Sequence, residues 1–89
     1  MVLRLNQQPS IENLRNHPPE MVERLRELLA AGASARPDPH RKNFYEVEDG
    51  SRVFYVHISP VTGKVLLLAA WLRDEKPADA GMATSQQPA

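Results

Sequence analysis

Residues 43–71, N-F-Y-E-V-E-D-G-S-R-V-F-Y-V-H-I-S-P-V-T-G-K-V-L-L-L-A-A-W, decide how this chain folds. Asn43 to Glu48 and Arg52 to Ser59 are rich in aromatic and β-branched residues, which suit a pleated surface. Asp49-Gly50 between them tolerates positive φ and signals a hairpin. Pro60 to Gly63 turns the chain again, and Lys64 to Trp71 forms a third strand. A two-residue loop at Asp49-Gly50 sets Val47 opposite Arg52 and Tyr45 opposite Phe54. Alternation then places Tyr45, Val47, Phe54, Val56 and Ile58 on one face, and a four-residue second loop adds Val65, Leu67, Ala69 and Trp71. The opposite face carries Phe44, Glu46, Val53, Tyr55, His57, Leu66 and Leu68. A face of that mixed, aromatic kind is either a second packing layer or a partner site.

On the N-terminal side, Met21, Val22, Leu25, Leu28 and Leu29 draw one apolar stripe along Glu20 to Ala31. Pro19 suits the first turn of that helix, Glu20 complements its dipole and Gly32 ends it. Ser10 reads as the N-cap of a shorter helix carrying Ile11 and Leu14, stopped before Pro18-Pro19. Val2 to Asn6 alternates like a short strand. Gly32 to His40, with two prolines, reads as a loop. The expected fold class is α+β: two N-terminal helices, the first short, packed on an antiparallel three-stranded meander, with a fourth short N-terminal strand. Residues 1–73 form the single domain, and Asp74 to Ala89, polar and without apolar period, reads as a disordered tail.

The chain has 89 residues, with 11 basic balanced by 11 acidic, and contains no cysteine. Disulfides and cysteine-bound metals are thereby excluded. Neutrality counts against strong, non-specific nucleic-acid binding, which rests on phosphate neutralisation. The longest apolar run, Val65 to Leu72, is strand-sized. Neither a membrane span nor a signal peptide is expected, and the expected compartment is the cytoplasm.

Three groups of side chains are candidates for chemistry. Arg36, His40, Arg41 and Lys42, with Arg52 on the hairpin, supply guanidinium and ammonium donors suited to phosphate; the alternative is a solvated basic loop. His57 lies mid-strand, where it serves as a general base only if a carboxylate orients it, and otherwise is structural. Phe44, Tyr45 and Tyr55 either stack bases or pack the sheet. No histidine spacing suits a metal, and no phosphate loop or nucleophile elbow is present, so no cofactor is implied.

The stretch S-R-V-F-Y-V (Ser51 to Val56) resembles the Y-R-V-x-Y strand of the RelE/ParE toxin superfamily of bacterial toxin–antitoxin systems. V-L-L-L-A-A-W-L-R (Val65 to Arg73) is similar to that family's last strand, and R-K-N-F-Y-E-V to the run before its first hairpin. The resemblance covers most of residues 2–73. It implies a toxin-type domain, either an mRNA endoribonuclease or an inhibitor of another target, held by an antitoxin. Arg52 and Arg73, with His57, would then be the catalytic residues, and Arg36, Arg41 and Lys42 would contact RNA or the ribosome. Leu72 stands where many members have histidine, and no tyrosine follows it.

The competing expectation is a non-catalytic interaction module. In that reading Tyr55, Leu66 and Leu68 on the outer sheet face bury against a small protein partner or a second copy, forming a homodimer.

Overall fold

The computed structural model describes residues 1–5 and 9–75. Its elements are β1 (Val2–Leu3), β2 (Ile11–Asn13), α1 (Pro19–Ala31), β3 (Ala33–Pro37), β4 (Phe44–Asp49), β5 (Arg52–Ile58), β6 (Val65–Leu72) and a 3-10 turn, Arg73–Glu75. They form a six-stranded sheet in the order β1-β3-β4-β5-β6-β2, with one helix on one face. The β2–β6 pairing is parallel and the others are antiparallel. This corrects the expected fold class. The three-stranded meander is present, but it is the centre of a wider mixed sheet, and one helix rather than two packs on it.

The first correction concerns residues 10–16. Ile11–Asn13 is a strand, aligned with Val65–Leu67. The Val65 amide donates to Ser10 C=O at 2.8 Å, and the Leu14 amide to Leu67 C=O at 3.3 Å. A segment confined between Pro9 and Pro18 is too short to recover the nucleation cost of a helix. The edge of β6 offers it backbone partners instead. The i, i+3 spacing of Ile11 and Leu14 was compatible with either outcome.

The second correction concerns Ala33–Pro37, expected as loop and found as strand β3, with Ala33 and Ala35 buried and Ser34 and Arg36 exposed. Pro37 closes it, beyond the two residues that β1 covers, so its missing N–H leaves no gap in that ladder. Asp74 and Glu75, the first residues of the expected tail, belong to the 3-10 turn. Residues 76–89, like Asn6 of the expected first strand, lie outside the described residues.

The hairpin register also moves. Asp49 pairs with Arg52 and Val47 with Phe54, so Gly50-Ser51 is the loop, with Gly50 at φ 60°. The shift in pairing is even, so every β4 and β5 side chain keeps its expected face. β6 does not. Val56 pairs with Leu67 but Tyr55 with Ala69, which leaves Leu68 as an inserted residue. Such a bulge reverses the alternation beyond it. Ala69 and Trp71, expected beneath the helix, therefore pack on the opposite face with Val53 and Tyr55.

The core lies between α1 and the inner sheet face. Leu25 and Leu29, both 0% exposed, meet Val47, Phe54, Val56, Val65 and Leu67. Each leucine contributes about 1.5–3 kcal/mol by leaving water. Pro18 C=O accepts from Met21 N–H at 2.9 Å to start the helix, and Gly32 N–H donates to Leu28 C=O at 2.9 Å to end it. Gly32 sits at φ 103°, where a side chain is strained. Arg24 grips both Asp49 oxygens at 2.9 Å and so ties the helix to the hairpin tip. No helix among the described residues is long and apolar enough to cross a membrane.

Candidate functional site

The face of the sheet away from α1 is organised around the loop between β3 and β4. The Asp38 amide donates to Phe44 C=O at 2.8 Å, which folds the loop back on the start of β4. The Tyr55 hydroxyl donates to Asp38 Oδ2 at 2.5 Å, and Arg41 Nη1 approaches the same hydroxyl at 3.4 Å. The Arg41 guanidinium lies 4.3 Å above the Phe44 ring. Phe44 in turn stands 5.7 Å from Tyr55 and 4.8 Å from His57, and Tyr55 is 6.3 Å from Trp71. The result is an aromatic row along the outer face, held at one end by a carboxylate and a cation.

Burial, and then the hydrogen bond given to Asp38, push the Tyr55 phenol up to about 12. Burial works to raise the Asp38 carboxyl as well. The hydrogen bonds it receives from Tyr55 and from the His40 and Arg41 amides outweigh that, and its pKa lies below the ordinary 3.8. Asp38 is thus a fixed anion and Tyr55 a fixed neutral donor. Neither is poised to exchange a proton near neutrality.

The basic residues singled out in the sequence do not converge. Arg41 stands at the β4 start of the outer face, with Lys42 exposed beside it in the loop. Arg52 pairs with Asp49 and shares the helix side with Phe54. Arg73 opens the 3-10 turn after Leu72, donating to Gly50 C=O at 2.9 Å and lying 3.7 Å from Glu48. The length of β4 separates Arg41 from Arg73, about 20 Å at the rise of a strand. Arg36 is spent on Glu46 and Glu48, at 3.9 and 3.3 Å. His57 is half-buried against Phe44, and its ring forms no hydrogen bond or ion pair among the described residues. Among the described residues no carboxylate orients it as a base.

The three residues expected to bind a partner do share the outer face, in different roles. Tyr55, 2% exposed, is a support beneath the surface. Leu66 and Leu68 are half-buried and present apolar area. Two members of the site went unnoticed in the sequence. Asp38 lies in P-D-P, a pattern that signals only a stiff turn. Trp71 reaches this face through a bulge that leaves no mark in the residue pattern.

Elsewhere, an open groove of about 620 Å³ is lined by Arg4, Leu5, Pro9, Ser10, Thr62, Gly63 and Lys64. Among the described residues its lining includes no carboxylate or imidazole to act on a substrate. No group of three metal-ligating side chains occurs among the described residues. No family model matches the chain, and neither a curated protein nor a solved structure matches it.

Proposed function

We propose that this chain is a non-catalytic protein-binding module that docks a partner on its outer sheet face. The observation that carries this reading is the half-buried apolar surface of Phe44, Leu66 and Leu68, which no helix covers among the described residues. Apolar area of that kind, set on a rigid aromatic row, is what a partner's anchor side chains bury against. The charges favour an acidic partner. At one end Glu46 and Glu48 are already matched by Arg36 and Arg73. At the other, Asp38 is held by Tyr55, and Arg41 and Lys42 are exposed. A partner with apolar anchors and a carboxylate beside Arg41 fits both features.

The test is to capture partners on immobilised protein, identify them, and titrate each purified protein against wild type, Leu66→Asp and Arg41→Glu. A docking partner loses about tenfold or more in affinity on Leu66→Asp, and on Arg41→Glu loses affinity mainly at low salt. Equal binding to all three proteins refutes the reading.

A toxin-type activity is the second reading. It is supported by Arg52 and Arg73, neighbours at the start of β5 and just past the end of β6, beside the β4–β5 turn, and opposed by the separation of both from Arg41 and Lys42. Growth arrest on induction in bacteria, abolished by Arg52→Ala and Arg73→Ala, would favour it over docking.

A further inference from the structure

The cation at the β4 start of the outer face is held in place by its surroundings. Residues 41–44, R-K-N-F, close a turn in which the Phe44 amide donates to Arg41 C=O at 3.3 Å, with Asn43 at φ 69°. Asparagine tolerates that left-handed position better than most side chains do. The turn brings its first and fourth side chains together, and the Arg41 guanidinium lies 4.3 Å above the Phe44 ring. A second contact comes from β5, where the Tyr55 hydroxyl receives Nη1 at 3.4 Å. Ring and hydroxyl together fix the plane of the guanidinium. Its Nε and Nη2 have no partner among the described residues.

Charge alone gives this position little pull on an anion. Asp38 bonds the same hydroxyl: its Oδ2 accepts from Tyr55 at 2.5 Å and its Oδ1 from the His40 amide at 2.8 Å. Burial works against its charge, but these bonds and that from the Arg41 amide outweigh it, so Asp38 is an anion at neutral pH. Arg41 and Asp38 cancel in charge, which leaves Lys42. A doubly charged phosphoryl group brought to Arg41 is repelled by Asp38. A singly charged, planar oxyanion is repelled less, and the open Nε–Nη2 edge matches the spacing of two carboxylate oxygens.

We propose that Arg41 receives a side-chain carboxylate of the docking partner through two parallel hydrogen bonds from Nε and Nη2, with Phe44 and Tyr55 as the positioning residues that hold its plane. The proposal rests on the docking reading and deepens it, because recognition then depends on the guanidinium fork rather than on positive charge. Lysine at this place keeps the charge and loses the fork. The side chain is already ordered in the free protein, so little of its freedom remains to be lost on binding. The spacing of the partner's groups follows from the sheet. Phe44 pairs with His57 and His57 with Leu66, so the Arg41 position and Leu66 lie two strands apart on one row. The partner's acidic residue and its apolar anchor are therefore separated by about 10 Å, across the strands.

Isotope labelling of the full chain lets the side-chain Nε and Cζ resonances report each guanidinium separately, with exposed Arg4 and Arg15 as controls. The probes are sodium acetate and inorganic phosphate at fixed ionic strength, at a pH where phosphate is mostly the dianion. Acetate is expected to shift Arg41 at severalfold lower concentration than it shifts Arg4 or Arg15, and at severalfold lower concentration than phosphate shifts Arg41. Phe44→Leu and Tyr55→Phe, each checked as folded by thermal melt, are expected to bring Arg41 level with the controls, whereas Phe44→Tyr keeps its preference. Against a captured partner, Arg41→Lys is expected to lose as much affinity as Arg41→Ala. An Arg41 no more responsive than Arg4 overturns the proposal, as does Arg41→Lys binding the partner like the wild type, or both loosening variants behaving like the wild type. Phosphate acting at lower concentration than acetate also overturns it and assigns the loop to phosphate groups such as those of a nucleic acid. The acetate results as expected, with partner binding unaffected by Leu66→Asp, refute the docking face and leave the carboxylate site standing.

Discussion

Replacing Tyr55 by phenylalanine removes one oxygen from the centre of the outer face and leaves the ring contacts with Phe44 and Trp71 in place. That oxygen donates to Asp38 Oδ2 at 2.5 Å and receives Arg41 at 3.4 Å. A hydrogen bond to a charged group contributes about 1.5–3 kcal/mol. Asp38 is only half-buried, so water replaces part of the lost donor, and the expected destabilisation is about 1–2 kcal/mol at pH 7. For a domain of this size that corresponds to a fall in Tm of roughly 5–12 °C. The difference depends on pH at both ends. The Asp38 pKa is depressed in the folded state, so its contribution is full above the unfolded value of 3.8 and is lost as pH falls through the lower folded value. The Tyr55 pKa is raised from 10.0 to about 12, so its contribution is full below pH 10.0 and is lost as pH climbs toward 12. Thermal melts of wild type and Y55F, followed by circular dichroism from pH 2.5 to 11.5, should give a gap that is widest between about pH 5 and 9 and closes on both sides. A gap that stays constant over that range, or an unchanged Tm at pH 7, would refute the assignment of Asp38 as the acceptor.

Leu29→Ala opens a cavity beneath α1, which has no neighbouring helix among the described residues to close it, and should cost about 2–5 kcal/mol by urea titration, most of a small domain's stability. Gly32→Ala places a methyl 3.5 Å from Val2 Cγ1 at a φ of 103°, so the strain rather than the contact decides, and urea titration should show a loss of about 1 kcal/mol or more. Deleting Leu68 removes the bulge and turns Trp71 toward the already filled helix side. The emission of this single tryptophan should then shift to the red under native conditions, whereas a spectrum like the wild type's would mean the strand tolerates either face.

The centre of the fold was legible because its signals agreed. The alternation of V-F-Y-V-H-I, the glycine turn and the Leu25/Leu29 stripe all point one way, and the β4 and β5 faces held even where the turn moved. The edges were not legible, for a physical reason. β2 and β3 are too short to carry a period, and what makes them strands is the open backbone of β6 and β4 lying beside them. The outer face was half legible for the same kind of reason. Leu66 and Tyr55 follow alternation, but Ala69 and Trp71 depend on one inserted residue that composition does not mark. Asp38 gains its role only when the chain folds back to Tyr55, a contact between residues 17 positions apart in sequence.

The parallel seam between residues 11–13 and 65–67 sets an order of events during synthesis. The central hairpins join neighbours in sequence and close within microseconds once extruded. The N-terminal segment has nothing to zip onto until Leu67 has left the ribosome. Closure of that seam is therefore a late step after local structure has set, and its amides should be among the earliest to exchange with deuterated solvent.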